Sequence, residues 1–207
     1  MAQDNPLRRD TASSPLVAKV GGSLFSQVQK IVPILRASPR PLLVIPGGGP
    51  FADAVRLSGA GDDAAHWMAI AAMEQYGWVL AAQGLETTTH PALQKKTHVL
   101  LPYCMMREHD PLPHTWSVTS DTIAAWVAGT LGVELLLLKS VDGISLNGVL
   151  QECVTEPVEC DVVDPCFIPY VLKNQIPVTI LNAMHLERLY NYFRGEPVPG
   201  TRIGTTF

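Results

Sequence analysis

One lysine and a glycine pair, in Val17-Ala-Lys-Val-Gly-Gly-Ser-Leu24, form the first part of this sequence suited to phosphate chemistry. Residues 16–20 are aliphatic and β-branched, which is typical of a buried parallel strand. Gly21 and Gly22 lack a Cβ, so their backbone can approach an anion closely. A helix predicted over 25–37 would place Ser23 and the glycine amides at its positive N-terminus. The stretch therefore predicts an anion-binding loop. An ordinary strand-to-helix turn remains the alternative, since neither a Walker motif nor GxGxxG is present.

A second glycine-rich turn has the same setting. Residues 42–45 form a predicted buried strand, Pro46-Gly-Gly-Gly-Pro50 follows it, and residues 51–57 have helical character. The carboxyl ends of neighbouring parallel strands lie at one edge of a sheet, so the two turns would face each other there. Amides of Gly48 and Gly49 would then add to a site for several phosphates. A flexible linker is the alternative interpretation.

A third turn contains a second lysine. The most hydrophobic predicted strand, 135–138, ends in Lys139-Ser-Val-Asp142-Gly143. Asp121 precedes the helix predicted over 122–131, where it either caps that helix or holds lysines in place. Leu146-Asn-Gly-Val149 is a two-residue hairpin signal, which predicts a β-ribbon beyond the sheet.

The helix predicted over 63–82 is apolar on nearly all sides, so it is expected to be buried on more than one side. Its alanines favour a dimer interface, and a central core helix is the alternative. Asp63 and His66 lie near its first turn, where both could face the predicted phosphate site. For His66, a hydrogen-bonded histidine within the core is the alternative. Residues 102–116 contain three prolines and predict a binding loop or lid, with an irregular surface loop as the alternative. The candidates in that loop are Arg107, His109, His114 and Trp116.

Composition narrows the class of protein. The chain has 207 residues, of which 47% are hydrophobic and 16% charged, against a usual charged share of about 25%. So few charges predict that part of the surface is hidden in a homo-oligomer. A net charge of -4 gives no electrostatic reason to expect nucleic acid or an acidic membrane as partner. The polar N-terminus lacks an apolar signal region, and no apolar run approaches the roughly 18 residues of a membrane span.

These features lead us to expect a cytoplasmic protein with a disordered leader over 1–15 and a single domain over 16–207. The four cysteines, at 104, 153, 160 and 166, form no CxxC pair and no zinc-site spacing, so free thiols are expected.

Predicted strands and helices alternate throughout the chain. Strands are predicted at 16–20, 42–45, 98–101, 135–138, 178–181 and 200–204, and helices at 25–37, 51–57, 63–82, 91–96, 122–131, 164–173 and 184–194. The alternation predicts an α/β fold with a mainly parallel open sheet covered on both faces, a three-layer αβα sandwich.

Four motifs in this order, Lys19-Val-Gly-Gly-Ser23, Pro46-Gly-Gly-Gly49, Thr119-Ser-Asp121 and Lys139-Ser-Val-Asp-Gly143, resemble the amino acid kinase superfamily, which has a carbamate kinase-like fold. The resemblance extends from Leu16 to the closing Gly200-Thr-Arg-Ile203. Within the superfamily, Asp62 to Ile70, Gln75-Tyr-Gly77 and His114 to Asp121 most resemble the [5-(aminomethyl)furan-3-yl]methyl phosphate kinase branch of methanofuran biosynthesis.

The resemblance implies transfer of the ATP γ-phosphoryl group to the phosphate of a small phosphorylated alcohol, giving a diphosphate. Mg²⁺ would bridge the ATP phosphates, held by nucleotide and water and not by a protein cage. The implied catalytic residues are Lys19 and Asp121. The implied ATP-binding residues are Gly21, Gly22, Ser23, Lys139, Asp142 and Gly143. The implied acceptor-binding residues are Gly48, Gly49, Asp53, Arg56, Asp63 and Trp116.

The chain departs from the superfamily pattern in one respect. Acetylglutamate kinases carry a second active-site lysine in a glycine-methionine segment, and residues 162–173 contain no such motif. Either Lys139 or Lys173 is then expected to supply the charge. Two other functions remain open, a uridylate or other phosphate or carboxylate kinase, and a nucleotide-binding protein that stores molybdate or tungstate without catalysis.

Overall fold

A computed structural model describes residues 14–204. Residues 1–13, which belong to the predicted leader, and residues 205–207 lie outside the described part. None of the helices within 14–204 combines the length and the hydropathy needed to cross a bilayer.

One eight-stranded sheet forms the centre of the molecule, in the order β3-β4-β2-β1-β5-β9-β10-β8. The strands are β1 (Leu16–Val20), β2 (Leu42–Pro46), β3 (Glu86–Thr88), β4 (His98–Leu100), β5 (Glu134–Lys139), β8 (Cys153–Val154), β9 (Val178–Asn182) and β10 (Thr201–Ile203). The first six strands in this order are parallel, and β10 runs antiparallel to β9. The predicted ribbon is confirmed as an antiparallel hairpin of β6 (Ser145–Leu146) and β7 (Val149–Leu150).

Helices cover both faces of the sheet. They are α1 (Val28–Arg36), α2 (Gly49–Leu57), α3 (Asp62–Ala82), α4 (Tyr103–His109), α5 (Ser120–Leu131), α6 (Phe167–Lys173) and α7 (Leu186–Phe193). Successive strand residues point to opposite faces. In β5, Leu136 and Leu138 join a core with α1 and α7, whereas Leu135 and Leu137 join one with α5 and α6. The predicted αβα sandwich with a mainly parallel sheet is confirmed.

The register of the three central strands places the predicted phosphate turns at one edge. Lys19 in β1 pairs with Ile45 of β2 on one side and with Leu137 of β5 on the other. Each strand then leads into its predicted turn at the same edge of the sheet.

The structure differs from the predicted elements where local patterns were weak. The helix predicted over 25–37 begins at Val28, after a 3-10 turn at Gly22–Gln27, because the glycine loop tightens the chain first. Residues 91–96 are not helical and instead lead into β4. The predicted loop 102–116 contains α4, with Pro102 at its N-cap. The sequence did not predict strand β3, because this edge strand is short and polar and lacks the apolar run by which buried strands are recognised.

Candidate active site

Two lysine ammonium groups meet on one buried carboxylate. Lys19 Nζ, from β1, lies 2.7 Å from Asp121 Oδ1, and Lys139 Nζ, from the end of β5, donates to Asp121 Oδ2 at 2.6 Å. Asp121 is 4% exposed and lies in the first turn of α5. The three side chains are brought together because β1 and β5 are adjacent and α5 leads back into β5. The structure places Lys139 against Asp121, whereas Lys173 is exposed in the last turn of α6.

The charges at this centre shift one another's pKa. Burial would raise the pKa of the Asp121 carboxyl, but Lys19 and Lys139 outweigh that effect and hold the pKa below its usual range. Burial lowers the pKa of the Lys139 ammonium, and the positive charge of Lys19 lowers it further, against the attraction of Asp121. The carboxylate is therefore ionised at neutral pH and orients both lysines.

A second buried carboxylate, which the sequence did not reveal, fixes the start of α5. Asp164 Oδ2 accepts hydrogen bonds from the Thr119 amide at 3.0 Å, the Thr119 hydroxyl at 2.9 Å and the Thr122 amide at 3.1 Å. Its Oδ1 accepts from the Thr122 hydroxyl at 2.6 Å. Burial raises the pKa of Asp164, partly opposed by the Thr122 hydrogen bond. Since Thr119 and Thr122 flank Asp121, Asp164 sets the position of the lysine pair.

The two predicted glycine turns touch each other. A Cβ on Gly22 would lie 2.8 Å from the Gly49 nitrogen, and Gly49 itself has a φ of +54°. Gly22 begins the 3-10 turn and Gly49 begins α2, so their amides have no acceptor within those helices. The amides of Gly21 and Gly47, by contrast, donate to the carbonyls of Leu138 at 3.0 Å and Val20 at 2.9 Å. Gly21 therefore shapes the turn while its amide is engaged within the sheet.

A cavity of about 660 Å³ opens beside Lys19. Its lining includes most of the predicted acceptor residues, namely Gly48, Gly49, Asp53, Arg56 and Trp116, together with Gly22 and Ser23. Arg56 donates to Asp53 at 2.8 Å and its guanidinium lies 5.0 Å from the centre of the Trp116 ring. The cavity thus combines a cation, a carboxylate and an aromatic wall.

A smaller cleft of about 210 Å³ lies on the Lys139 side, and Ser23 lines both spaces. The cleft is lined by Ser23, Lys139, Ser140, Val141, Asp161 and Val162. Asp142 and Gly143, predicted for ATP, do not line it. Hydrogen bonds from Asn182 and then Arg188, both at 2.7 Å, hold the pKa of Asp142 below its usual range. A Cβ on Gly143 would meet Thr201 Oγ1, so this glycine allows a close chain crossing.

Asp63 is likewise absent from the cavity lining. Its carboxylate lies 2.8 Å from His114 Nδ1 at the rim, while the neighbouring Asp62 lines the cavity. His66 is buried and also lines the cavity. Neighbouring residues on a helix, such as Asp62 and Asp63, point in directions about 100° apart. Because α3 has no clear apolar stripe, the sequence did not show which of the two faces the cavity.

The lysines and glycine turns suit the phosphates of a nucleoside triphosphate, whereas the buried carboxylates do not suit its Mg²⁺. Both Asp121 oxygens face ammonium groups, and the Asp164 oxygens accept four hydrogen bonds, so these carboxylates are poorly placed to bind Mg²⁺. The two ammonium groups can bind a polyphosphate. So can the two glycine turns, which lie so close together that a Cβ would fill the space between them. The arrangement can stabilise negative charge that develops between the two spaces.

Known proteins resemble this chain in sequence and in fold. No protein-family model matches the chain. A curated relative, the [5-(aminomethyl)furan-3-yl]methyl phosphate kinase of Methanocaldococcus jannaschii, is 26% identical over 209 residues, covering 90% of this chain and 96% of the relative.

Solved structures share the fold at low sequence identity. Uridylate kinase from Archaeoglobus fulgidus has a TM-score of 0.64 at 15% identity and covers 92% of this chain and 100% of its own. UMP kinase from Ureaplasma parvum reaches 0.71 at 13% identity, over 93% and 99%. An isopentenyl phosphate kinase gives 0.58 at 15% identity, over 91% and 99%. The resemblance and the fold predicted from the sequence are thereby confirmed.

Proposed function

We propose that this chain, which has the fold of the amino acid kinase superfamily, transfers the γ-phosphoryl group of ATP to the phosphate of a small phosphorylated alcohol. The product would be a diphosphate. The observation that carries the proposal is the pair of lysines on Asp121, placed between a large cavity beside Lys19 and a cleft beside Lys139. Ser23 lines both spaces, so a donor and an acceptor phosphate can meet at the lysines.

The proposed mechanism depends on positioning and charge. A phosphate oxygen of the acceptor is already a nucleophile, so the reaction needs no general base. The obstacle is the repulsion between two anions and the charge that spreads over the transferring group. Lys19 and Lys139 offset that charge from opposite sides of Asp121. The amides of Gly22 and Gly49 orient phosphate oxygens, and Arg56 holds the acceptor phosphate.

ATP would use the Lys139 side, with Lys139, Ser23 and the turn after β5 against its phosphates. Asp142 and Gly143 would shape that turn through their contacts with Arg188 and Thr201. Mg²⁺ would neutralise part of the phosphate charge and would be held by the nucleotide and water, because Asp121 and Asp164 are engaged with lysines and threonines.

The acceptor we propose is [5-(aminomethyl)furan-3-yl]methyl phosphate, the substrate named for the relative at 26% identity. A furan ring is flat and apolar and suits the Trp116 wall. Its ammonium group needs a carboxylate, which Asp53 and Asp62 offer in the cavity. Asp63 would act indirectly, through His114 at the rim. The chain would then serve methanofuran biosynthesis.

We also propose a cytoplasmic homo-oligomer. The four cysteines are unpaired, as expected in a reducing compartment. Met68 and Trp78 are large apolar side chains exposed on α3, the helix predicted as an interface.

An acceptor panel tests the function. Purified protein with ATP and Mg²⁺ is given, in separate reactions, the aminomethylfuran phosphate, UMP, isopentenyl phosphate or acetylglutamate, and ADP and the phosphorylated product are measured. We expect turnover that is confined to the furan phosphate and yields a diphosphate. Turnover with UMP would keep the kinase and replace the acceptor. ATP binding with molybdate or tungstate uptake and no turnover would replace the proposed activity by storage.

A further inference from the structure

A cluster of two histidines and two carboxylates lies at the rim of the large cavity, outside the phosphoryl-transfer centre. His114 Nε2 lies 2.8 Å from Asp110 Oδ1, and His114 Nδ1 lies 2.8 Å from Asp63 Oδ1. The His66 ring stacks on His114 with centroids 4.0 Å apart and planes at 18°. Three elements contribute: the first two turns of α3, the residue that caps α4, and the segment that follows.

We infer that His66, Asp110 and His114 form a binding site for a divalent transition cation such as Zn²⁺. One ligand atom from each of the three side chains lies within 4.8 Å of the other two. Ligand atoms that share a tetrahedral Zn²⁺ are about 3.3 Å apart, given bonds of about 2.0–2.1 Å. The side chains must therefore approach by up to about 1.5 Å, and one imidazole must turn out of the stack so that its lone pair faces the cation.

A buried nitrogen without a partner supports the site independently. His66 is 8% exposed, and its Nε2 atom has no hydrogen-bond partner among the described residues. An unpaired buried polar atom costs free energy unless something binds to it. Trp67 packs edge-on against the imidazoles of His66 and His114, so His66 faces an aromatic ring on the Trp67 side. Coordination of a cation would satisfy this nitrogen.

Asp63 completes the arrangement as an orienting residue. Histidines that bind metals commonly donate their second ring N–H to a carboxylate, which fixes the tautomer. Asp63 can accept the Nδ1 proton of His114, which leaves Nε2 free to bind a cation beside Asp110. The two carboxylates also supply two negative charges, which a divalent cation neutralises.

The ligand set distinguishes this site from the Mg²⁺ that accompanies ATP. Two imidazole nitrogens and one carboxylate oxygen favour Zn²⁺, Co²⁺ or Ni²⁺ over Mg²⁺, which prefers oxygen ligands. A bound cation would fix the segment from Asp110 to Trp116 against α3, and Thr115 and Trp116 of that segment line the cavity. The inference concerns these side chains alone and stands whether or not the proposed acceptor is correct.

Cobalt binding tests the site in the full-length protein with any polyhistidine tag removed and without ATP. Chelator-treated protein is titrated with Co²⁺ while visible absorption is followed, and Zn²⁺ is then added as competitor. We expect one Co²⁺ per chain with the spectrum of a site containing nitrogen ligands. Asp110→Asn and Asp63→Asn should weaken binding about tenfold or more. His109→Gln, next to the cluster, is the matched control and should bind as the wild type does.

Thermal unfolding keeps the test decisive if a variant folds poorly. Zn²⁺ should raise the Tm of the wild type and of the His109→Gln variant equally, and should raise that of the Asp110→Asn variant by clearly less at the same Zn²⁺ concentration. His66→Gln provides a second variant at the buried ligand. The inference is overturned if the wild type binds neither cation, or if the His66, Asp63 and Asp110 variants bind as tightly as it does. It is also overturned if both His114 nitrogens keep their protons in excess Zn²⁺.

Discussion

At the scale of single residues, the site depends on one carboxylate that serves two lysines. Asp121 is nearly inaccessible to solvent, and each of its oxygens faces an ammonium group. A buried charge is costly without a partner. Removing Asp121 would leave Lys19 and Lys139 facing each other without a counterion. The same residue therefore bears on both the stability of the fold and the position of the two lysines.

Asp121→Asn is expected to lower the free energy of unfolding by about 3 to 5 kcal/mol near neutral pH. The ionised carboxylate has a folded-state pKa below its ordinary value of 3.8. Its contribution is complete above that value and is lost as the pH falls through the lowered pKa. Urea unfolding at neutral and strongly acidic pH measures this, and the difference between wild type and variant should shrink in acid.

Asp62→Asn is the matched control, since Asp62 is exposed in the first turn of α3. A difference between the Asp121 variant and the wild type that does not change between neutral and acidic pH would contradict this account.

The sequence predicted the residues next to strand ends better than those on helices. Lys19, Gly22 and Gly49 follow or end buried strands, and the sheet carries them to one edge. Asp63 was predicted for the acceptor, but its carboxylate lies on His114. Asp164 gave no signal, because its role depends on residues 42 and 45 positions away in the chain. Such contacts follow from tertiary packing and have no local pattern.

At the scale of elements, the N-terminus of α5 is held in place by a side chain from the segment before α6. Thr119 caps the helix by accepting from the Asp121 amide at 3.4 Å, and Asp164 then binds both Thr119 and Thr122. This also explains why α6 begins at Phe167, later than predicted, because Asp164 is turned toward α5.

Asp164→Asn should loosen this attachment. The amide replaces one carboxylate oxygen by a donor, so the Thr122 hydroxyl must reverse its hydrogen bond, and the bonds from Thr119 and Thr122 lose their charged acceptor, at a cost of about 1 to 3 kcal/mol. We expect kcat to fall because Asp121 and both lysines shift, and the KM for ATP to rise because Lys139 is proposed to contact its phosphates. Steady-state kinetics and urea unfolding measure both effects. Glu159→Gln, which alters an exposed carboxylate, should change neither, and a wild-type kcat in the Asp164 variant would contradict the positioning role.

The contact of the two glycine turns is a second element-scale constraint. A Cβ at position 22 would come within 2.8 Å of the Gly49 nitrogen, so Gly22→Ala must push the turns apart. Misplacement of about 1 Å can cost about 100-fold in rate, and we expect kcat/KM to fall by that order.

Gly61→Ala is the control for this change. A Cβ there meets nothing within 4 Å, and the backbone φ of −66° accepts alanine. This variant should keep full activity, and its stability should change by less than about 1 kcal/mol, because the lower unfolded-state entropy of alanine is offset by its poorer fit at the N-cap of α3. Equal activity of the Gly22 and Gly61 variants would show that the close contact of the turns is dispensable.

At the scale of the whole molecule, the alternation of buried strands and helices was sufficient to predict the αβα sandwich. The central strands were predicted to within one or two residues, because both sheet faces are covered and each strand reads as an apolar run. The edges were less predictable, since β3 is polar and β8 has two residues.

The exposed face of α3 makes a prediction about assembly. Trp78 is 58% exposed and Met68 is 41% exposed on that face. Trp78→Glu should therefore dissociate the proposed oligomer, as measured by light scattering after size-exclusion chromatography. Tyr190→Glu, on α7, is a control of similar exposure, 52%, and should leave the mass unchanged. A wild-type protein that is monomeric at all concentrations would contradict the proposal.

We propose that Lys19, held by Asp121, stabilises the phosphoryl group during transfer. The most direct measurement is single-turnover transfer from γ-labelled ATP to the acceptor by the Lys19→Met variant, beside Lys30→Met, which removes an exposed lysine on α1. We expect a rate about 100- to 1,000-fold below wild type for the first variant and an unchanged rate for the second. A Lys19→Met variant that stays folded, binds both substrates and transfers phosphate at the wild-type rate would contradict it.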